Sequence, residues 1–293
     1  MNWQPIADSI TAATGQPFAV ANAQPLTGGD INNAYFLQGA GQSYFIKLNR
    51  ASLADMFAAE ADGLNELAAS QQLTIPKPIV HGIAGQQAFL VLTYLKLGGS
   101  NKSATALLGA GLAALHQKQQ PYFGWHRDNT IGSTPQTNPA YSNWCDFWRD
   151  QRLGKQLQLA ADNGYNGKLQ HLGEQLLANL STFFNSYQPQ ASLLHGDLWG
   201  GNWAVTDSGQ PAIFDPACYY GDRETDIAMT ELFGGFSPDF YAAYRATWQL
   251  DDGYAIRKTL YNLYHILNHL NLFGGGYLKQ SQQMMEFLLA ELH

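Results

Sequence analysis

The sequence predicts an α+β protein with two lobes. The N-terminal lobe is expected to contain a five-stranded antiparallel sheet with a helix, and the C-terminal lobe to be mostly helical. Short apolar runs bounded by turn residues fill the first 95 residues. After Gly98-Gly99, long segments with a helical period dominate. The domain limits that follow are residues 1–95 and residues 96–293.

The N-terminal lobe begins with a helix predicted over residues 3–14, which carries Ile6 and Ile10 on one face and stops at Gly15. A second helical period spans residues 52–70 and ends before the break at Pro76. Extended segments are predicted at residues 18–26, 34–38, 43–48, 79–81 and 88–94.

The C-terminal lobe is predicted to be helical except for one strand–loop–strand unit at residues 191–216. Amphipathic periodicity, glycine stops and capping residues set the helix limits. The predicted helices are residues 103–118, 140–163, 167–186, 222–233, 237–248, 254–272 and 279–292.

The composition excludes several classes of protein. The chain has 293 residues, of which 45% are hydrophobic, so it can bury a large core and is not globally disordered. Its net charge of −7 argues against a nucleic-acid partner, which requires a basic face. The first residues have no basic stretch followed by an apolar core, so we expect no signal peptide, and no apolar run reaches the ~18–20 residues that span a membrane. We therefore expect a cytoplasmic protein with no membrane partner, in which Cys145 and Cys218 are reduced thiols.

The segment from Ser192 to Asp215 carries the strongest functional signal. It reads Ser-Leu-Leu-His-Gly-Asp-Leu-Trp-Gly-Gly-Asn-Trp and then, after a turn, Ala-Ile-Phe-Asp-Pro. Asp197 precedes Asn202 by five positions, and Asp215 ends the next apolar strand, which is the spacing of a kinase catalytic loop. We expect Asp197 to orient the attacking hydroxyl, and Asn202 and Asp215 to bind Mg²⁺ against the phosphates of ATP.

Lys47 and Glu60 are the expected partners of the nucleotide phosphates. Lys47 follows Tyr-Phe-Ile in a half-buried strand, where a lysine is unusual without a partner. Glu60 lies thirteen residues later in the next helix, which fits the lysine–glutamate pair of kinases. The alternative is a solvated lysine at a strand end, and Glu66 is the competing carboxylate in the helix.

A glycine-containing turn between the first two strands is the expected phosphate loop. Its candidate residues for ATP binding are Gly28, Gly29, Asp30, Ile31 and Asn32. Glycines allow close backbone approach, and the backbone N–H groups can meet phosphate oxygens. The turn is not the G-x-G-x-x-G of protein kinases, so a plain hairpin turn is the alternative.

The end of the fifth predicted strand leads into the hinge between the lobes. Adenine is flat with a polar edge, so we expect the Thr93 carbonyl and the Leu95 amide to pair with it. The alternative is a simple buried edge strand.

Two carboxylates after Asp215 are assigned structural roles. Asp226, at the start of an apolar helix, is expected to bond the backbone of the catalytic loop, and Asp222 to cap that helix. His195 is likewise expected to hold loop backbone rather than carry a proton.

The motifs closely resemble those of the fructosamine/ketosamine-3-kinase family. They are His195-Gly-Asp-Leu-Trp-Gly-Gly-Asn202, Ile213-Phe-Asp-Pro-Ala-Cys-Tyr-Tyr-Gly-Asp-Arg-Glu224, Asp226-Ile-Ala-Met229, Phe123-Gly-Trp-His-Arg-Asp-Asn-Thr-Ile-Gly-Ser-Thr-Pro-Gln136, Gln151-Arg-Leu153 and Leu272-Phe-Gly-Gly275. The resemblance implies a protein-kinase-like fold, related to aminoglycoside phosphotransferases, and ATP-dependent phosphorylation of a ketosamine at its 3-hydroxyl. It implies Mg²⁺ as cofactor, Trp199 as the aromatic residue that faces the sugar, and deglycation of free or protein-bound amines. A monomer or weak homodimer is expected.

Two departures from the family pattern stand out. Gly200 occupies a position where the family often has serine, which should loosen the loop slightly. No cysteine occurs in Gly28–Asn33, so we expect no redox-linked dimer through that loop. The alternatives are a kinase for another hydroxyl acceptor, such as an aminoglycoside or amino alcohol, and a catalytically inactive nucleotide-binding scaffold.

Overall fold

The computed structural model describes residues 2–26 and 31–292. Its helices are α1 (Gln4–Thr14), α2 (Ala54–Ala68), α3 (Ala104–His116), α4 (Trp144–Trp148), α5 (Gly154–Asp162), α6 (Lys168–Ala178), α7 (Glu224–Leu232), α8 (Pro238–Thr247), α9 (Tyr254–Phe273) and α10 (Gly276–Ala290). Its strands are β1 (Asn22–Leu26), β2 (Asn33–Gly39), β3 (Gln42–Arg50), β4 (Pro78–Ala84), β5 (Gln87–Thr93), β6 (Asn129–Ile131), β7 (Thr134–Gln136), β8 (Ser192–Leu194), β9 (Trp203–Val205), β10 (Pro211–Ile213) and β11 (Tyr219–Gly221).

The chain divides into two compact units. The first unit comprises Met1–Ala104 and Trp203–Pro216, and the second comprises Thr105–Asn202 and Ala217–His293. The domain limits predicted from the sequence, residues 1–95 and 96–293, stay a prediction.

The first unit is built on a five-stranded sheet in the order β1-β2-β3-β5-β4. Every neighbouring pair is antiparallel, which confirms the predicted sheet. Helix α1 contributes Ile6 and Ile10 to a core on one face. Helix α2 contributes Phe57 and Leu64 to a core on the other face. Both faces are covered, which explains why β5 is apolar at nearly every position.

Alternation along the strands places Lys47 on the face that α2 covers. Val91 of β5 belongs to the core beneath α1, whereas its neighbour Leu90 belongs to the core beneath α2. Lys47 of β3 lies opposite Leu90 in the ladder. Its neighbours Ile46 and Leu48 belong to the α1 core. Since successive side chains of a strand point to opposite faces, Lys47 points towards α2.

The segment Trp203–Pro216 folds with the first unit as a hairpin of β9 and β10. Backbone hydrogen bonds fasten it there: Ile213 N donates to Thr74 O at 3.1 Å, and Asp207 N donates to Lys96 O at 2.8 Å. The hairpin therefore presents Asp215, two residues after β10, to the unit that contains Lys47.

The second unit is helical around α9, which packs against α5, α7 and α10. The helix predicted over 140–163 is interrupted. It begins only at Trp144, because the Asn143 side chain accepts the Asp146 N–H at 3.1 Å and caps it. A π-helical turn at Arg149–Leu153 then separates α4 from α5. Likewise, the helix predicted over 167–186 ends as α6 and continues as a 3₁₀ turn, Leu180–Phe184.

A small hairpin of β6 and β7 was not predicted. Each strand has only three residues, and Pro135 interrupts any donor pattern, so no two-residue alternation is long enough to be seen. No helix within the described residues combines the length and apolar character needed to cross a bilayer.

Candidate functional site

In the first unit, Lys47 is held by two carboxylates. Its Nζ lies 2.6 Å from Glu60 Oε1 and 2.6 Å from Asp215 Oδ1. Lys47 is only 5% exposed, and the side chain of Glu60 is 10% exposed. The predicted lysine–glutamate pair is therefore present, and the structure adds Asp215 as its third member.

The charges of this cluster depend on one another. Burial lowers the pKa of Lys47, but the carboxylates of Asp215 and Glu60 outweigh burial and raise that pKa above its ordinary value. Burial raises the pKa of Glu60, and the charge of Asp215 adds to this, whereas Lys47 opposes it. One ammonium thus faces two carboxyl groups, an arrangement that a further cation would balance.

Asp215 has an unusual backbone. Its φ of 58° lies in the left-handed region, which few residues other than glycine adopt. Aspartate tolerates this conformation better than most side chains. The conformation follows directly after β10, while the side chain remains 45% exposed and within reach of Lys47. Strain of this kind is common at functional sites.

In the second unit, the loop that carries Asp197 and Asn202 leaves β8 and is anchored by short-range contacts. β8 pairs antiparallel with β11, and His195 O accepts the N–H of Ala217 at 2.9 Å. Gly196 has a φ of 82°, and a Cβ at this position would lie 2.1 Å from Ala217 O. Only glycine fits this close approach, so the Gly of the His-Gly-Asp motif is structural.

Asp226 holds the same loop from α7. Its Oδ2 accepts the backbone N–H of His195 at 2.7 Å, and its Oδ1 accepts that of Gly196 at 2.8 Å. His195 Nδ1 in turn accepts the N–H of Asp197 at 3.2 Å. The structural roles predicted for Asp226 and His195 are confirmed. Asp222 Oδ1 accepts the Glu224 N–H at 3.0 Å, but the N-cap position of α7 is occupied by Arg223, so Asp222 bonds the first turn from one position earlier than expected.

Asn202 fixes the orientation of Asp197. Its Nδ2 donates to the Asp197 backbone oxygen at 2.8 Å and to Asp197 Oδ2 at 3.2 Å. The amide nitrogen is therefore committed to Asp197, which leaves Oδ1 of Asn202 as the atom suited to a cation.

Trp199 is 40% exposed and lies over its own loop. A Cβ on Gly201 would come within 2.3 Å of the Trp199 ring, whereas a Cβ on Gly200 would meet nothing within 4 Å. The ring also contacts Phe233, with centroids 6.4 Å apart. Gly201 thus provides the space in which the indole lies, and Gly200 leaves room for the serine that the family often carries there.

The remaining predicted nucleotide residues are only partly described. Gly28, Gly29 and Asp30 lie outside the described residues. Asn49 Nδ2 on β3 donates to Ile31 O at 3.0 Å and to Asn32 Oδ1 at 2.8 Å, which ties the end of this turn to the strand that carries Lys47.

At the end of β5, Thr93 is anchored to the strand before it. Its N–H donates to Lys77 O at 2.9 Å, and its Oγ1 accepts the Lys77 N–H at 2.9 Å. The role of the Thr93 carbonyl and the Leu95 amide in adenine binding stays a prediction.

The sequence did not indicate the side chains that bond the backbone just after Asp215, at Ala217 and Cys218. Asn129 Nδ2 donates to Cys218 O at 2.7 Å, and Gln136 Nε2 donates to Ala217 O at 3.3 Å and to Asn129 Oδ1 at 2.8 Å. Both belong to the β6–β7 hairpin. No local pattern in the sequence marks these two side chains, because their partners are backbone groups more than 80 positions away.

Comparison with known proteins places the chain in a family. The fructosamine kinase family model matches residues 2–291. A protein of Synechocystis sp. named a probable ketoamine kinase is 47% identical over 97% of this chain and 96% of its own length. The chloroplastic protein-ribulosamine 3-kinase of Arabidopsis thaliana is 37% identical over 100% of this chain and 90% of its own length.

Solved structures share the fold. The crystal structure of a candidate fructosamine-3-kinase from Haemophilus somnus covers 98% of this chain and 97% of its own, with a TM-score of 0.90 and 30% identity. An aminoglycoside phosphotransferase bound to ADP and hygromycin B covers 97% of this chain and 98% of its own, with a TM-score of 0.67 but only 16% identity, and so supports the fold alone. The two-lobed kinase-like fold is confirmed, and this chain belongs to the fructosamine kinase family.

Proposed function

We propose that this protein is a magnesium- and ATP-dependent kinase that phosphorylates the 3-hydroxyl of ketosamines, the fructosamine and ribulosamine adducts of amines. Family membership supports an ATP-dependent phosphotransferase that acts on a sugar hydroxyl. The observation that carries the proposal is the buried Lys47–Glu60 ion pair at 2.6 Å, because kinases use this pair to position phosphates. The phosphorylated adduct then breaks down and releases the amine, so the activity is a deglycation repair.

Asp197 is the proposed base. It orients the 3-hydroxyl of the sugar and accepts its proton while the O3–phosphorus bond forms and the bond from the γ-phosphorus to ADP breaks. The bonds from Asn202 to its backbone and carboxylate hold Asp197 in place for this role. Trp199, two residues away and partly exposed, is the proposed platform for the sugar ring.

Asn202 and Asp215 are the proposed magnesium ligands. Mg²⁺ in such enzymes is bound by one or two protein oxygens together with substrate phosphates, and it neutralises charge that develops on the phosphates. The available donors fit. Asn202 has its amide nitrogen committed and its oxygen left over, and Asp215 is a half-exposed carboxylate. Within the described residues, no cluster of three His, Cys, Asp or Glu side chains could hold a metal alone, which agrees with a site completed by phosphates.

The nucleotide itself is assigned to the first unit. We propose that Lys47 and Glu60 position its α- and β-phosphates, that the turn at residues 28–32 covers them, and that Thr93 and Leu95 pair with adenine. The hydrogen bonds from Asn49 to Ile31 and Asn32 place these two residues beside the strand that carries Lys47, which supports their part in the proposal.

The setting of the reaction is also proposed. Cys145 and Cys218 are free thiols, as is usual in a reducing compartment such as the cytoplasm. Burial raises the pKa of Cys145 to about 11, which makes it a poor nucleophile at neutral pH. The absence of a redox-linked dimer through the turn at residues 28–33, which has no cysteine, stays part of the proposal.

One assay tests the function. Magnesium-dependent ATP consumption is measured with fructosyl-lysine, ribulosyl-lysine and an aminoglycoside in parallel. We expect turnover with the two ketosamines, loss of turnover by about 10³-fold or more in Asp197→Ala with ATP binding retained, and little change in Asp207→Ala, an exposed aspartate in the β9–β10 hairpin. Turnover with the aminoglycoside alone would support the other acceptor class, and nucleotide binding without any turnover would support a scaffold.

A further inference from the structure

The second unit contains a cavity outside the residues assigned to catalysis. It has a volume of about 190 Å³ and is lined by Tyr187, Gln188, Gln190, Ser192, Arg223 and Trp248. These side chains are polar or amphipathic, and arginine is the one ionised type among them at neutral pH. The lining therefore suits a polar ligand better than an apolar one.

Arg223 brings a positive charge to this cavity without a carboxylate partner. It is 5% exposed, and its guanidinium lies over the Trp248 ring, 4.0 Å from the centroid. Its hydrogen bonds go to neutral acceptors: the Tyr244 hydroxyl at 3.1 Å, Trp248 O at 3.2 Å and Gln249 O. The carbonyls at the end of α8 supply only partial negative charge. Glu224 and Asp251 lie close enough to interact with this charge but do not contact it. A buried arginine without a carboxylate in direct contact is costly, and an anion bound to its N–H groups would offset that cost.

The acidic side chains on either side of Arg223 make their direct hydrogen bonds to other residues. Asp222 accepts the hydroxyls of Tyr187, at 2.9 Å, and Tyr261. Glu224 is bound by Arg257, whose Nε lies 2.8 Å from Glu224 Oε2. Arg223 makes no salt bridge with any carboxylate in residues 2–26 and 31–292.

Ser192 adds an unused donor. It is fully buried at the start of β8, and its hydroxyl has no hydrogen-bond partner among the described residues. A buried hydroxyl without a partner is destabilising unless something occupies the space beside it. The hydroxyl oxygen is closed to solvent, so a ligand oxygen in the cavity that Ser192 lines would become its acceptor once the hydroxyl turns towards that space.

We propose that this cavity is a binding site for a small oxyanion, either a phosphate or a carboxylate group, held by the guanidinium of Arg223, the Ser192 hydroxyl and the amides of Gln188 and Gln190. Arginine recognises both groups through the same paired N–H donors. The site lies apart from Asp197 and Trp199 in function, because none of its lining residues is assigned to ATP, magnesium or the sugar.

A chain of hydrogen bonds links the cavity to the catalytic loop. Arg223 Nη1 donates to the Tyr244 hydroxyl, which lies 2.8 Å from His116 Nδ1. His116 Nε2 lies 3.1 Å from Asp226 Oδ2, the same oxygen that accepts the His195 N–H. Burial lowers the pKa of His116, so the ring is neutral, accepts at Nδ1 and donates at Nε2. Each hydrogen bond donates in the same direction, from Arg223 towards Asp226. A ligand in the cavity would therefore alter the hydrogen bonding of the His195 amide, which lies two residues before Asp197.

Binding is tested without turnover. The thermal unfolding midpoint and calorimetric binding are measured with potassium phosphate and with potassium malonate, against potassium chloride at equal ionic strength. We expect a saturable effect of at least one oxyanion, and comparison of the two identifies the preferred group. In Gln190→Glu, which places a negative charge at the exposed rim and keeps the acceptor used by Gln119, the dissociation constant should weaken about three- to tenfold.

Two controls keep the test specific. Gln175→Glu, with the same charge change on an exposed residue of α6, should bind as the wild type does. Lys47→Met should also keep the effect, measured from that variant's own midpoint in chloride, since the partners of Lys47 are Glu60 and Asp215 rather than residues of the cavity. Loss of binding in Lys47→Met with full binding in Gln190→Glu would place the anion among the nucleotide residues and overturn the proposal, as would no saturable effect of either oxyanion.

Ser192→Ala provides a second variant that changes only one hydroxyl. It should weaken oxyanion binding severalfold without loss of folding, because no protein partner depends on that hydroxyl. Hydrogen exchange gives an independent readout of the link. In the wild type, the amides of His195 and Gly196 should exchange more slowly with phosphate or malonate than with chloride. In Gln190→Glu, at the same salt concentration, their exchange rates should be the same with the oxyanion as with chloride. Unchanged exchange in the wild type on saturation would refute the link.

Discussion

Asp226 and Gly196 are joined by a hydrogen bond of 2.8 Å from the glycine N–H to the aspartate Oδ1, which fastens the residue before the proposed base to the first turn of α7. The other carboxylate oxygen of Asp226 accepts two hydrogen bonds, one from the His195 N–H and one from Nε2 of the His116 ring. Burial raises the pKa of Asp226, but its hydrogen bonds with the His116 ring and the Gly196 amide outweigh burial and hold this pKa below its usual value. The loop that carries the proposed base is therefore positioned by a charged group that lies outside the proposed substrate contacts.

Asp226→Asn is expected to weaken both the fold and the loop. An amide keeps the size of the side chain but replaces one acceptor with a donor, which would face a backbone N–H or the His116 ring. Hydrogen bonds to a buried charge contribute about 1.5–3 kcal/mol each, so we expect the free energy of unfolding to fall by about 2–3 kcal/mol, with a decrease in kcat. Urea unfolding and kinetics measure both. Asp252→Asn, an exposed aspartate before α9, is the matched control, and equal behaviour of the two variants would contradict this role.

Glu60→Gln is expected to impair ATP use more than stability. Because burial already raises the pKa of Glu60, its charge contributes little net stability, whereas Lys47 loses one of the two carboxylates that position it. We expect a tenfold or larger loss in kcat/KM for ATP, about 1.4 kcal/mol or more in transition-state binding, and an unfolding midpoint close to that of the wild type. Glu66→Gln, six residues along the same helix, is the control. A wild-type kcat/KM in Glu60→Gln would remove this residue from the nucleotide site.

Gly201→Ala is expected to change substrate binding rather than folding. The added methyl group would lie within 2.3 Å of the Trp199 ring and displace a half-exposed side chain, which costs little stability but moves the proposed sugar platform. The KM for the ketosamine should rise several-fold while the KM for ATP is retained. Gly200→Ala, where the methyl group would meet no atom within 4 Å, should behave as the wild type does. Identical kinetics of the two variants would argue against Trp199 as the sugar platform.

Acid is expected to destabilise the protein through His265. Burial lowers the pKa of His265 to about 3, so the folded state holds it neutral while the unfolded state takes up a proton below its ordinary pKa near 6.5. Its contribution to stability is complete above pH 6.5 and is lost as the pH falls towards 3, by about 2 kcal/mol at pH 5. In His265→Leu, the free energy of unfolding should fall less between pH 7 and pH 5 than in the wild type. His171→Leu, an exposed histidine of α6, should keep the wild-type difference, and an unchanged slope in His265→Leu would contradict the assignment.

Much of the first unit could be predicted because its signals are local. Glycine turns and apolar runs indicated the five strands, and a lysine in a half-buried strand with a glutamate in the next helix indicated the Lys47–Glu60 pair, which the structure confirms. The role of Asp226 could also be predicted, since a carboxylate in the first turn of an apolar helix needs donors.

The contacts that were missed join residues far apart in the chain. Asn129 reaches the Cys218 carbonyl 89 positions away, and no periodicity or spacing marks a side chain that bonds distant backbone. The π-helical turn at Arg149–Leu153 was missed because its residues have the pattern of an ordinary helix. There the buried Arg152 packs on the Tyr219 ring, 4.1 Å from the centroid, a tertiary contact that local propensity cannot reveal.

The partial exposure of Trp199 means that the intrinsic fluorescence of the protein can report on ligand binding. The chain has seven tryptophans, and the side chain of Trp199 is more exposed to solvent than those of the other six, which are buried or half-buried. An aqueous quencher such as acrylamide or iodide should therefore reach the Trp199 indole first. A sugar stacked on that ring would shield it, so protection from quenching can follow ketosamine binding in real time, even in variants that no longer turn over.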